Sequence, residues 1–241
     1  MYQFEENIDH GSLFIFDKRW IDNMNWAAIP KASKAILPVL LSHTNKKGVA
    51  FPSERRIAIL TGRNDKTVRE GIRGLEGFPG FSMGNRITSG GKRGKVFHLP
   101  IMKIETGTTF PFYRCVFYSG SWCQLIPTAQ SLYPVMRHYG QFDFDDYLEE
   151  TDTEAEVHEF EEVYKSRQFD FCDADLNVLA DHAGIIRKSI RPALNNLEEA
   201  MLIKTISRSR WRVHLRPDGR YKRSFLNKQV MGRYKHEKPD G

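Results

Sequence analysis

The chain has 241 residues, 40% of them hydrophobic, which suits one large or two small domains with real cores. No run approaches the ~20 apolar residues of a membrane span, and the opening Met1–His10 is acidic and polar, so neither a membrane anchor nor a secretory leader is expected and a cytoplasmic protein is. The net charge of +6 is unevenly laid down, with +9 over residues 1–139, −10 over 140–165 and +7 over 166–241. Two basic bodies flanking an acidic segment point to a polyanionic partner, most often nucleic acid.

The chain matches itself in two ungapped registers. At an offset of 96, Phe14 falls on Phe110, Phe16 on Phe112, Trp26 on Trp122, Ile36 on Leu132 and Pro38 on Pro134. At an offset of 122, Ile57 falls on Leu179, Gly62 on Gly184, Lys66 on Lys188, Val68 on Ile190, Arg69 on Arg191, Ile72 on Leu194 and Leu75 on Leu197. The offsets differ by 26, the length of the acidic segment 140–165, so one insertion in a second copy reconciles them.

Each copy opens on a β-prone run, Leu13–Phe16 in the first and Phe112–Phe117 in the second. A helix is expected over about 32–43 and 128–139, with Pro38 and Pro134 inside imposing a kink or a late start. A second helix follows over about 53–60 and 174–182, with Ser53 and Asp173 as N-caps. Gly62 and Gly184 then supply the backbone freedom for a tight turn. The third helix spans about 65–76, capped by Asn64, and about 186–199 in the second copy. Val68, Ile72 and Leu75 form one apolar stripe, matched by Ile190, Leu194 and Leu197. The remaining faces carry Lys66, Thr67, Arg69 and Arg73, with Arg63 in the turn before them, and Arg187, Lys188, Ser189 and Arg191. Hairpins close the copies, over 81–99 with Lys92, Arg93 and Lys95, and over 202–215 with Arg208, Arg210 and Arg212. This order of helices and β-ribbon is that of a winged helix.

The stretch Ser33–His43, then Gly48-Val-Ala-Phe-Pro-Ser-Glu, Ala58, Gly62 and Lys66-Thr67-Val68-Arg69, resembles the winged helix-turn-helix of phage and plasmid replication proteins. The doubled arrangement resembles, in architecture, the tandem winged-helix plasmid replication initiators. The interior prolines and the acidic insert depart from that pattern. The reading is therefore an α+β chain of two tandem winged helix-turn-helix domains related by an internal repeat. One occupies 1–105, the other occupies 106–225 with the acidic insert 140–165, and a basic flexible tail covers 226–241. The resemblance implies sequence-specific binding of double-stranded DNA in replication initiation of a plasmid, phage or integrative element. A transcriptional regulator and a protein-bridging subunit of a chromosome-maintenance complex are the alternatives.

In that reading Asn64, Thr67 and Ser189 meet phosphates near the helix starts, and the arginines and lysines of the third helices and wings meet bases and backbone. A basic helix face taken alone is more often merely solvated, and the repeated Phe and Trp positions favour core packing over base stacking. The acidic insert reads as an amphipathic helix, with Thr153 and Glu156 as a capping box and Val157, Phe160, Val163 and Tyr164 on one face. A homodimer, and replication machinery or a regulatory protein docking on 140–165, complete the partners. No catalysis, metal or cofactor is expected. Ser89–Val96 lacks the first glycine and the final Ser/Thr of a phosphate loop, the eight histidines form no H-E-x-x-H, and Cys115, Cys123 and Cys172 form no C-x-x-C.

Overall fold

The computed structural model describes residues 13–87, 91, 93–101, 107–151, 164 and 167–217. The chain runs β1 (Leu13–Asp17), α1 (Arg19–Asp22), α2 (Asn25–Ala28), α3 (Lys31–Ser42), β2 (Val49–Ala50), α4 (Glu54–Thr61), α5 (Asp65–Arg73), β3 (Ser82–Ile87) and β4 (Arg93–His98). It continues through β5 (Thr109–Tyr113), α6 (Cys115–Tyr118), α7 (Ser121–Gln124), α8 (Pro127–His138), α9 (Phe144–Thr151) and β6 (Phe169–Cys172). Then come α10 (Leu176–Ala183), a 3-10 turn (Arg187–Ser189), α11 (Ile190–Glu199), β7 (Ile203–Ser207) and β8 (Arg210–His214). Helices combine with antiparallel sheets, an α+β mixture as expected. β2-β4-β3 and β6-β8-β7 form two sheets of the same strand order, and β1 pairs with β5 in a third. Among the described residues no helix is long and apolar enough to cross a membrane.

Local chemistry sets the boundaries. Ser53 accepts the Arg56 N–H at 3.1 Å and starts α4, and Asn64 accepts the Thr67 N–H at 2.9 Å and starts α5. Gly62 and Gly184 end α4 and α10 at φ +69° and +60°, the left-handed conformation that glycine takes without a Cβ penalty. Four expectations need correction. The cap of α10 is Asp175, which accepts the Asn177 N–H at 2.6 Å, whereas Asp173 lies 3.4 Å from Arg210. The second β-run is Thr109–Tyr113, because the chain turns into α6 at Arg114. The prolines delay neither helix, since α3 starts at Lys31 and α8 at Pro127. α5 ends at Arg73, where Gly74 lies so close to Pro30 and Ser33 that an added Cβ would meet the Ser33 Oγ at 2.5 Å.

One apolar core draws on both stretches, including Trp26, Ile36, Leu40, Val68 and Ile72 from the first and Trp122, Leu132, Met136, Leu194 and Leu197 from the second. α3 and α8 pack against each other, α4 meets α7, and α10 meets α2. These contacts come in exchanged pairs. Ile15 lies opposite Pro111, Phe14 opposite Phe112 and Phe16 opposite Phe110. Trp26 Nε1 donates to the Ser131 carbonyl at 2.9 Å, and Trp122 Nε1 donates to the Ala35 carbonyl at 3.0 Å. Trp26 and Trp122 are 96 apart in the sequence, and so are Ala35 and Ser131. An added Cβ on Gly62 would meet the Cys123 carbonyl oxygen, and one on Gly184 would meet that of Ala27. Each of these contacts thus has a counterpart in which residues 96 apart, or 122 for the two glycines, change places.

The matched positions also differ in ways that carry consequences. Met24 has φ +59°, and 96 residues later Gly120 holds the same left-handed conformation at φ +81°. A left-handed non-glycine residue costs roughly 1–2 kcal/mol, partly offset by the extra freedom glycine has when unfolded. Met24 is 41% exposed, so little packing is lost on truncation. Met24→Gly is expected to stabilise the fold by about 0.5–1 kcal/mol in urea denaturation.

Lys34 and Gln130 form another such pair. Lys34 Nζ donates to the carbonyls of Ala27 and Ala183, both at 2.9 Å, and Gln130 Nε2 donates to those of Trp122 and Thr61 at 2.9 and 3.1 Å. Lys34 is 1% exposed, and burial, with Lys31 adding, lowers its ammonium from 10.5 to about 8. Between those values the unfolded chain holds more protons at this site, so its contribution to stability rises with pH from about 8 and levels off near 10.5. Burial raises the Cys115 and Cys172 thiols to about 11, which lowers stability above their ordinary value of 9, so the lysine is read by difference. Stability of the native chain minus that of Lys34→Gln is expected to rise by about 3 kcal/mol over that window. A flat difference would show that Lys34 is not held as an unfavourable buried cation.

Candidate nucleic-acid interface

α5 presents its charges on a helix pinned from behind by Val68 and Ile72, both buried. Its nine residues span ~13 Å, a length that fits a B-DNA major groove ~12 Å wide. Lys66 has 84% of its side chain exposed and pairs only loosely with Glu70, at 4.0 Å. Arg69 donates through Nε to the Asp65 carbonyl at 3.3 Å and lies 3.9 Å from Glu54. Glu54 also takes Lys95 of β4 at 2.7 Å, so one carboxylate ties α4, α5 and the first hairpin together. Partly exposed pairs of this kind contribute only about 0–1 kcal/mol. Arg73 and Arg93 are exposed, Thr67 is half-buried, and Asn64 is engaged in capping. Lys92 lies outside the described residues.

Later in the chain, a groove of about 790 Å³ lies between the start of α10, α11 and the β7–β8 hairpin. It gathers Arg187, Lys188 and Arg191 with Arg208 of the hairpin turn, while Asp175 on its wall lies 4.0 Å from Arg187. Arg187 also donates to the Asn177 side chain, and Ser189 is half-buried at the end of the 3-10 turn. At the position 122 residues after the cap Asn64 stands Ile186, 57% exposed and with no side-chain acceptor for a backbone N–H. The third helix accordingly opens as a tight turn.

Three expected contact residues are placed elsewhere. Arg63 points into the junction between the copies, where it donates to the Leu125 carbonyl at 3.3 Å and to the Gln130 side chain, and burial lowers its pKa. Arg210 and Arg212 lie on the hairpin face opposite Trp211, over the rings of Phe171 and Phe169 at 4.5 and 4.9 Å. Burial works against the Arg210 charge, but the hydrogen bond it donates to Asp146 and the fields of Asp173 and Asp143 outweigh it and raise its pKa. Asp146 belongs to α9, a helix over Phe144–Thr151 that sequence reasoning missed. Its Tyr147 stacks on Phe169 with ring centroids 4.6 Å apart. The capping box at Thr153 and Glu156 and the apolar face from Val157 to Val163 lie outside the described residues, as does the tail 226–241.

The hairpins differ in reach. Met83 pairs with Phe97 and Thr205 with Trp211 at matched positions, but 14 residues separate the first pair and 6 the second. Beyond that pair the first hairpin is thus eight residues longer, with two and three of them in the paired strands and three in the turn. Sequence reasoning also missed Glu54, which pairs with both Arg69 and Lys95, and Asn195, whose signal was its i+4 spacing from Arg191. Residues 27–78 match a family model described as a helix-turn-helix domain, which supports DNA binding by α4 and α5 and DNA as a partner. No curated protein and no solved structure gives a match to the chain.

Proposed function

We propose that this chain is a sequence-specific double-stranded DNA-binding protein whose two winged helix-turn-helix units, about 1–105 and 106–225, pack as a dimer within one polypeptide. It acts by binding rather than catalysis, in the cytoplasm, and serves replication initiation of a plasmid, phage or integrative element. The observation that carries the reading is the set of exchanged contacts through Trp26 and Trp122. Two units related by a two-fold axis carry their third helices in opposite senses, and DNA read by such a pair is an inverted repeat. Lys66, Thr67, Arg69, Arg73, Arg93 and Lys95 serve one half-site, and Arg187, Lys188, Ser189, Arg191 and Arg208 the other. With about four cations engaged per unit, the slope of log K against log salt is expected to be roughly −7.

The test is a footprint on duplex DNA flanking the gene, with affinity measured across salt concentrations. Protected inverted half-sites iterated across an AT-rich region support initiation. A single operator over a promoter makes the protein a regulator using the same module. No protection, or a slope near zero, ends the DNA reading.

A further inference from the structure

Asn195 has no folding reason to be where it is. It lies in the middle of α11, exposed, where asparagine is a poor helix former. Its neighbour Asn196 accepts the Ile126 backbone N–H at 2.8 Å and so holds α11 to the start of α8. Asn195 has no such task among the described residues. It lines the groove with Arg191, four residues before it and so on the same helix face, and with Lys188 of the 3-10 turn. At the matched place in α5 stands Arg73, also exposed. The position of Glu70, which faces Lys66 in α5, is taken by Pro192 in α11, so Lys188 has no acidic partner one turn on.

We infer that Asn195 is a base-reading residue that selects an adenine in the second half-site, where Arg73 selects a guanine in the first. This rests on the reading of both third helices as groove-entering elements. The chemistry is direct. An amide presents one acceptor and one donor, matching the N6 donor and N7 acceptor of adenine, whereas a guanidinium presents two donors, matching O6 and N7 of guanine. The two half-sites therefore differ at one equivalent step, A·T in one and G·C in the other. The bound site is an imperfect inverted repeat, and the protein has a fixed orientation on it.

The experiment is selection of a randomised duplex library by the full chain, by Asn195→Ala, by the isosteric Asn195→Asp, and by the exchange Arg73→Asn with Asn195→Arg. Thermal melting of each variant checks the fold. For the native chain, enrichment of two inverted half-sites with A·T at one equivalent step and G·C at the other is expected. Both single variants should lose the A·T preference, with about tenfold or more weaker binding to the native site. The exchange should swap A·T and G·C between half-sites. If the native chain enriches a site and the folded Asn195 variants enrich the same one, this inference falls and the DNA reading stands. If the native chain enriches no sequence, the DNA reading falls and takes the inference with it.

Discussion

Reversing Lys66, Arg69, Lys188 and Arg191 to glutamate together is expected to weaken duplex binding by about a thousandfold while the chain remains folded. All four are exposed, so none contributes to the core. The ion pairs lost, Lys66 with Glu70 and Arg69 with Glu54, are worth under about 1 kcal/mol each. On DNA each cation makes a charge-assisted bond worth roughly 1 kcal/mol or more, and four of them multiply to at least that thousandfold. The salt slope separates this effect from a loss of shape. Removing four of eight cations should bring it from roughly −7 to roughly −4. Reversing one helix at a time should cost each half-site separately, as footprints would display. Unchanged affinity and slope in the folded quadruple variant would remove the third helices from the interface.

The fold was legible wherever the repeat spoke. The 96 offset carries α1, α2 and α3 onto α6, α7 and α8 residue for residue, and the 122 offset carries α4 onto α10. Asn64 was legible as a cap because its chemistry is local. What failed was information held between elements. Arg63 and Arg69 look alike in sequence, but one faces the junction and the other the surface. Arg210 and Arg212 were counted with the wing cations because strand alternation assigns two faces without saying which one α9 covers. Asp173 and Asp175 are equally good caps in isolation, and only the start of α10 at Leu176 puts Asp175 at the capping position. Lys34 gave no signal at all, since a buried lysine bonded to two carbonyls reads in sequence as an ordinary surface residue.

The second large effect concerns the junction itself. Gly62→Ala and Gly184→Ala are each expected to destabilise the fold by roughly 3 kcal/mol, against roughly 1 kcal/mol for Gly77→Ala. All three glycines have positive φ, at +69°, +60° and +85°, so the left-handed strain of alanine is common to them. They differ in what a Cβ would meet. At Gly62 the Cys123 carbonyl oxygen stands 2.1 Å away, and at Gly184 the Ala27 carbonyl oxygen stands at 2.3 Å with Lys34 Nζ at 2.7 Å. At Gly77 nothing lies within 4 Å. The nearest opposing atom in each case is a backbone carbonyl oxygen, so relief requires the two stretches of chain to move apart. The cost beyond Gly77 therefore measures how tightly one copy is held to the other, and urea denaturation of the three variants reads it. A chain loosened there still has both third helices and both sets of cations. Its affinity for a single half-site should be unchanged, but its advantage on the full inverted site should shrink, because that advantage comes from holding the second helix at high effective concentration over its half-site. Equal costs at all three glycines would mean that the copies are joined by little more than the connecting chain, and the fixed spacing of the half-sites would lose its physical basis.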